Sequence, residues 1–95
     1  MMDLTIHRGE NKFYIGDEQH PTAEITWIPS GDDRIIAERT WVSDELRGQG
    51  IAGLLLAELV AMARDHNKTI IPHCPYIKRK LTGDAQYEDV LAHQD

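Results

Sequence analysis

RGQGIAGLLLAELV, residues 47–60, decides the fold. Arg47 leads into Gly48-Gln49-Gly50, and the chain then turns apolar at helical spacing. Ile51, Leu55, Leu59 and Met62 share one face, and Ala52, Leu56, Val60 and Ala63 widen it. The spacing predicts a helix from Gly50 to about Asn67, roughly 25 Å long at 1.5 Å per residue. Gly53, Ala57 and Ala61 form a strip of small residues that a neighbour can approach closely. His66-Asn67-Lys68 ends the helix with a basic residue and an Asn, both favoured there.

Upstream of this stretch the period is two rather than 3.6. Residues 4–7, 12–15, 23–28 and 34–42 alternate or run apolar, and turn chemistry separates them: Gly9, Gly16-Asp17-Glu18 and Pro29-Ser30-Gly31-Asp32-Asp33. Four strands on short polar turns predict an antiparallel meander. Ser43 to Leu46 reads as a tight, capped turn. Downstream, residues 69–74 are a short apolar strand. A strand, a helix and a strand in that order predict a parallel pair with a right-handed crossover. Pro72 has no amide hydrogen, so ladder pairing should fail there and the last strand should splay from its neighbour. Residues 75–81 can form a helix opened by Pro75, Thr82-Gly83-Asp84 breaks it, and residues 85–91 read as a last short helix. The expected class is α+β, in a single domain over residues 1–95.

The glycine turn admits two readings. Glycines before a helix are often only turn residues. They also suit anion binding, because the first amides of a helix have no intrahelical partner and the aligned peptide dipoles make that end positive. Glycine lets the backbone approach a phosphate, and Arg47 adds a guanidinium matched to phosphate oxygens. The amides of Gln49, Gly50, Ile51 and Ala52 would be the donors. Gly48, Gly50 and Gly53 formally satisfy the dinucleotide fingerprint G-x-G-x-x-G. That reading fails, since the preceding strands look antiparallel and no Asp or Glu occurs between Asp65 and Asp84. A P-loop fails too, because Leu54 and Leu55 stand where Lys and Ser/Thr are needed.

Composition narrows the partners. The chain has 95 residues, 41% of them hydrophobic, with a formal net charge of -6. That suits one compact domain and argues against nucleic acid, as Lys78-Arg79-Lys80 is too short a basic run to outweigh the acid. The longest apolar stretch, residues 51–63, is too short to cross a bilayer, so no membrane is expected as a partner. Met1-Met2-Asp3-Leu4 has neither basic flank nor apolar core, so no signal peptide is expected. One cysteine, Cys74, excludes an internal disulfide and fits a reducing, cytoplasmic setting. The five histidines are scattered without ligand spacing, so no metal is expected.

Arg47-Gly48-Gln49-Gly50-Ile51-Ala52 resembles the R/Q-x-x-G-x-G/A signature of the GCN5-related N-acetyltransferases. The setting resembles them too: a long strand, a loop, the signature, a helix, then a diverging strand. With "PHCPY" at residues 72–76, the stretch from about Ile6 to Leu91 is similar to a small branch of that superfamily, the short YidJ-like or NATD1-like proteins. The resemblance implies a truncated form of that fold and an acetyl-CoA-dependent transfer to an amine acceptor that the sequence does not identify. It implies that Arg47, Gly48, Gln49, Gly50, Ile51 and Ala52 bind the diphosphate of acetyl-CoA, and that Trp41 and Val42 lend backbone groups to the pantetheine arm. Longer members carry one or two helices between their first strands. Only turns stand there in this chain, so the acceptor groove should be open, as in a monomer, or be completed by a second subunit, as in a homodimer.

Three side chains are catalytic candidates. Cys74 stands at the end of the splayed strand, where it could accept the acetyl group or lie near the coenzyme sulfur, and the helix start at Pro75 could lower its pKa. A buried structural thiol is the alternative. Tyr76 is a candidate proton donor to the leaving thiolate, with packing as its alternative, and Glu38 a candidate base. Related proteins often read acid-His-Thr-aromatic-Val where this chain has Glu38-Arg39-Thr40-Trp41-Val42. Arginine cannot act as a base at neutral pH, so Arg39 either binds an acidic acceptor or pairs with Glu38. His73 alternates away from Cys74, which argues against a Cys-His pair. Besides the transferase, two further readings are open: a non-catalytic acyl-CoA-binding or sensing module, and a structural domain without ligand.

Overall fold

The structure is a computed structural model describing residues 3–92; the reading of Met1 and Met2 falls outside them. Five strands form one sheet in the order β1 (Ile6–Gly9), β2 (Lys12–Gly16), β3 (Pro21–Ser30), β4 (Arg34–Val42) and β5 (Thr69–Pro72). The first four are antiparallel neighbours, and β5 runs parallel to β4. Helix α1 (Ile51–Asp65) makes the crossover between β4 and β5, and α2 (Pro75–Thr82) follows β5. The α+β class and the meander, helix and splayed-strand order expected from the sequence are therefore present.

One face of the sheet carries the core. Phe13, Ile15, Ala23, Ile25, Trp27, Ile35 and Ala37 alternate inward along β2, β3 and β4 and are buried. Against them α1 lays Ile51, Leu55, Leu56, Leu59, Val60, Met62 and Ala63, all buried. Ile77 and Leu81 bring α2 into the same cluster. The rings of Phe13 and Trp27 meet at 5.2 Å between centroids. Each fully buried Leu or Ile contributes about 1.5–3 kcal/mol, so the 3.6-residue period of α1 is the main reason it lies where it does.

Several boundaries differ from expectation for local reasons. The first strand sits two residues later than expected, because Ile6 pairs with Ile15 and Gly9 with Lys12 around a tight turn with Asn11 at φ 57°. Strand β3 runs through Pro29 to Ser30 and leaves only Gly31-Asp32-Asp33 as the turn. Helix α1 is shorter than expected, about 22 Å, since Gly50 is its left-handed N-cap and Asn67 adopts φ 55° just past its end. The small-residue strip of Gly53, Ala57 and Ala61 is exposed. No helix covers it. At Gly53 the nearest atom to an added Cβ would be the Tyr76 hydroxyl, at 3.9 Å.

The last helix expected over residues 85–91 is absent. A single 3₁₀ turn covers Ala85–Tyr87, capped by Asp84, whose carboxylate accepts from the Gln86 amide. The chain then joins the open edge of β5. The Ile70 amide donates to the Val90 carbonyl at 2.6 Å, and the Ala92 amide donates to the Ile70 carbonyl at 2.9 Å. This bridge satisfies the Ile70 amide and carbonyl on the open edge of β5. Arg64 of α1 ties this segment down, donating to both carboxylate oxygens of Asp89 and to the Gln86 carbonyl.

Candidate functional site

The site begins where β4 and β5 part. Their register runs from Arg34 with Thr69 to Ala37 with Pro72 and stops there. Past that point the amides of His73 and Cys74 both donate to the single carbonyl of Ala37, at 3.0 and 3.1 Å. The chain turns away into α2, and residues 38–42 of β4 keep no strand on that side. The amides of Thr69 and His73 face β4 and that of Ile70 faces the opposite edge, so position 72 also points away from β4, and the missing amide hydrogen of Pro72, expected to be the cause, removes no bond from this ladder.

Cys74 lies at the apex of this gap. It is 7% exposed, and its Sγ stands 3.7 Å from Oγ1 of Thr40 across the opening. Cys74 is also the N-cap residue of α2, with Pro75 at the first helical position. Burial pushes its thiol up. The amides of Ile77 and Tyr76 together with the Thr40 hydroxyl pull it down further, and the net pKa lies below the ordinary 9.0. The thiol is thus buried, and hydrogen-bond donors surround it. His73 is exposed, so it does not pair with the thiol inside the core.

Tyr76 is half-buried, and burial raises its pKa above 10.0, with Tyr87 adding to the rise. Its hydroxyl reaches the first turn of α1 beside Gly53. One side chain of α2 thus lies close to the N-terminal turn of α1. Glu38 is exposed on β4 where the β3 pairing shifts by one residue, Thr26 with Arg39 but Trp27 with Ala37. Arg39 does not pair with Glu38. Its Nη1 lies 3.5 Å from Glu24 on β3, because the register puts Arg39 beside Thr26 and Trp41 opposite Glu24.

The signature loop forms the other end. A 3₁₀ turn over Asp44–Leu46 leads into it, with Leu46 buried as its anchor. No side chain caps that turn, contrary to expectation. Gly48 and Gly50 have φ of 82° and 75°, and among the described residues no atom beyond the adjoining chain lies within 4 Å of a Cβ added at either. Glycine is needed there for its backbone conformation, and the space above it is open. Gly50 offers α1 no side-chain cap, so the first-turn amides, those of Ile51 and Ala52 among them, have no capping side chain. Arg47 donates from Nε to the Val42 carbonyl at 3.2 Å and pairs with Asp44 at 2.8 Å. Gln49 donates to the Glu45 carbonyl at 3.4 Å. Arg47 and Gln49 are both exposed.

Two polar groups escaped sequence reasoning. The Ser43 hydroxyl is buried next to the loop with no hydrogen-bond partner among the described residues. Thr40 faces the Cys74 sulfur. The one-residue shift at Glu38 turns Thr40 and Val42 to the side of Ile25 and Ala23. Simple alternation along β4 hides that. An uncapped helix start, open left-handed glycines and an orphaned buried hydroxyl fit a phosphorylated ligand that brings its own acceptors. Among the described residues no group of three or more potential ligands could hold a metal.

Comparison with known proteins agrees with this geometry. Residues 12–90 match the family described as GCN5-related N-acetyl-transferase. The chain is similar to the solution structure of a GCN5-like candidate N-acetyltransferase from Staphylococcus aureus, with 43% identity and a TM-score of 0.82, over 100% of this chain and 94% of that one. Its fold is also similar to that of a ribosomal-protein-alanine N-acetyltransferase from Brucella melitensis biovar Abortus 2308, with 19% identity and a TM-score of 0.54, over 88% of this chain and 64% of that one. No match is found among curated proteins. The splayed strands, the open glycine loop and the match over most of the chain lead to one conclusion: this protein belongs to the GCN5-related N-acetyltransferase family.

Proposed function

We propose that this protein is an acetyl-CoA-dependent N-acetyltransferase of the short YidJ-like or NATD1-like branch, acting on an amine acceptor. The observation that carries the reading is the uncapped start of α1 behind two left-handed glycines with open space above them, set beside the gap between β4 and β5. The amides from Gln49 to Ala52 bind the diphosphate, and Arg47 leaves Asp44 to join them. Trp41 and Val42 line the pantetheine arm along the unpaired edge of β4.

The chemistry follows from the groups at the apex. The neutral amine nitrogen attacks the acetyl carbon, the carbon–sulfur bond breaks, and the coenzyme leaves as a thiolate. Tyr76 is protonated at neutral pH, as an unperturbed tyrosine is, and burial raises its pKa further, so its hydroxyl is the proton donor to the thiolate. Glu38 takes the proton released by the amine. A two-step route uses the same site. The Cys74 thiolate attacks the acetyl carbon and expels the coenzyme thiolate, then the amine attacks the acetyl-cysteine and restores Cys74. The lowered pKa of Cys74 favours that route.

Calorimetric titration with acetyl-CoA tests the reading. Folded protein that shows no binding at millimolar ligand rules it out. A non-catalytic acyl-CoA module predicts binding with no coenzyme release across a broad amine panel, and turnover of any amine refutes that alternative.

A further inference from the structure

Across the sheet face that no helix covers, the register sets Tyr14 of β2 opposite Glu24 of β3, and Glu24 opposite Trp41 of β4. One carboxylate thus stands between two aromatic rings. The Glu24 side chain is 15% exposed, and its one side-chain partner among the described residues is Arg39, at 3.5 Å. That distance is the outer limit of a hydrogen bond, and a carboxylate offers about four acceptor positions, so most of its capacity is unused.

The chain lays its own cations on this surface. The Arg39 guanidinium carbon lies 5.9 Å from the centre of the Trp41 ring, and the Lys12 ammonium lies 5.4 Å from that of Tyr14. Lys12 is anchored by the Glu18 carbonyl at 3.3 Å and carboxylate at 4.0 Å. Arg39 is 59% exposed, and its one ion pair among the described residues is the long contact to Glu24. A guanidinium loosely seated against a carboxylate and an indole shows what kind of group this surface receives.

We propose that Tyr14, Glu24 and Trp41 form the acceptor platform, that Glu24 selects acceptors carrying a second cationic group, and that Arg39 is a resident plug which this group displaces. The proposal rests on the acetyltransferase reading above. The group that attacks an acetyl carbon must be a neutral amine. A group held between a carboxylate and two ring faces keeps its charge. The held group and the reacting amine are therefore different, and the acceptor is a short diamine or an amino-guanidine. Trp41 belongs both to this row and to the unpaired edge of β4. Glu24 lies one strand away, about 4.8 Å, so a few methylenes join the two groups.

Agmatine, which carries a guanidinium and a primary amine, is the probe. Calorimetry on the whole chain should show Arg39→Ala tightening agmatine binding several-fold and Glu24→Gln weakening it at least tenfold, with both variants checked for folding by circular dichroism. In a coenzyme-release assay, cadaverine should exceed n-pentylamine at least tenfold in kcat/KM, and Glu24→Gln should remove the difference. Agmatine affinity unchanged in Glu24→Gln, or not improved in Arg39→Ala, overturns the platform. Equal turnover of the two pentyl amines overturns the selection. Acetyl-CoA titration separates the two levels: coenzyme binding without agmatine binding sinks the platform alone, whereas agmatine binding without coenzyme binding supports the cation site and sinks its role in transfer.

Discussion

At the scale of single residues, Cys74 joins two properties that usually exclude each other. It is buried among core side chains, yet the amides of Ile77 and Tyr76 and the Thr40 hydroxyl stabilise its thiolate. Its alkylation by iodoacetamide should therefore follow a pH profile with a midpoint below 9.0. Thr40→Val should move that midpoint upward, and an unmoved midpoint would show that the hydroxyl plays no part. Intact mass after incubation with acetyl-CoA tests the two-step route. An acetyl adduct that vanishes in Cys74→Ser supports it, and full turnover by that variant reduces Cys74 to packing. Arg47→Glu should weaken acetyl-CoA roughly tenfold or more, about 1.4 kcal/mol, with little effect on stability, because its pair with Asp44 is exposed. Cys74 and Arg47 were legible as candidates from their places in the sequence. The Arg39 partner was not, because only the β3–β4 register puts Glu24 in reach.

At the scale of elements, α1 carries both the core and the loop, and its glycines divide by conformation. Gly50 adopts φ 75°, so Gly50→Ala should cost about 1–2 kcal/mol in urea denaturation although nothing crowds its Cβ. Gly53 has an ordinary helical backbone, and an added Cβ would meet the Tyr76 hydroxyl at 3.9 Å, a normal contact. Gly53→Ala should therefore stabilise the protein, by up to about 1 kcal/mol. Equal effects at the two positions would refute this account. Leu59 is wholly buried, and Leu59→Ala should cost about 2–5 kcal/mol. The helix was legible because seven of its buried residues follow the 3.6 period. Residues 85–91 also resembled a helix by pattern, but they form a 3₁₀ turn and, at their C-terminal end, bridge the free edge of β5 at Leu91.

At the scale of the molecule, one sheet face is packed under α1 and α2, and the other carries Tyr14, Glu24 and Trp41 without a covering helix. No described helix is long and apolar enough to cross a membrane. The C-terminal segment is held to α1 by Arg64. The hydrogen bonds from Arg64 keep the Asp89 carboxyl below its ordinary 3.8. The clamp is therefore complete above pH 3.8 and is lost as pH falls through that lowered value. An NMR pH titration should find Asp89 below 3.8, and Arg64→Gln should return it there. The amide of Ile70, bonded to Val90, should then exchange faster. What the sequence alone determined is local: the alternation that makes the strands, the helical period of α1 and the glycine turn before it. These depend on neighbours within a few residues, where backbone sterics and side-chain spacing act. Only the tertiary structure decided which side chains meet across strands, that the thiol faces Thr40 rather than His73, and that the last segment pairs with β5. Those contacts join residues distant in the chain, and one shifted register at Glu38 changes which face each side chain takes.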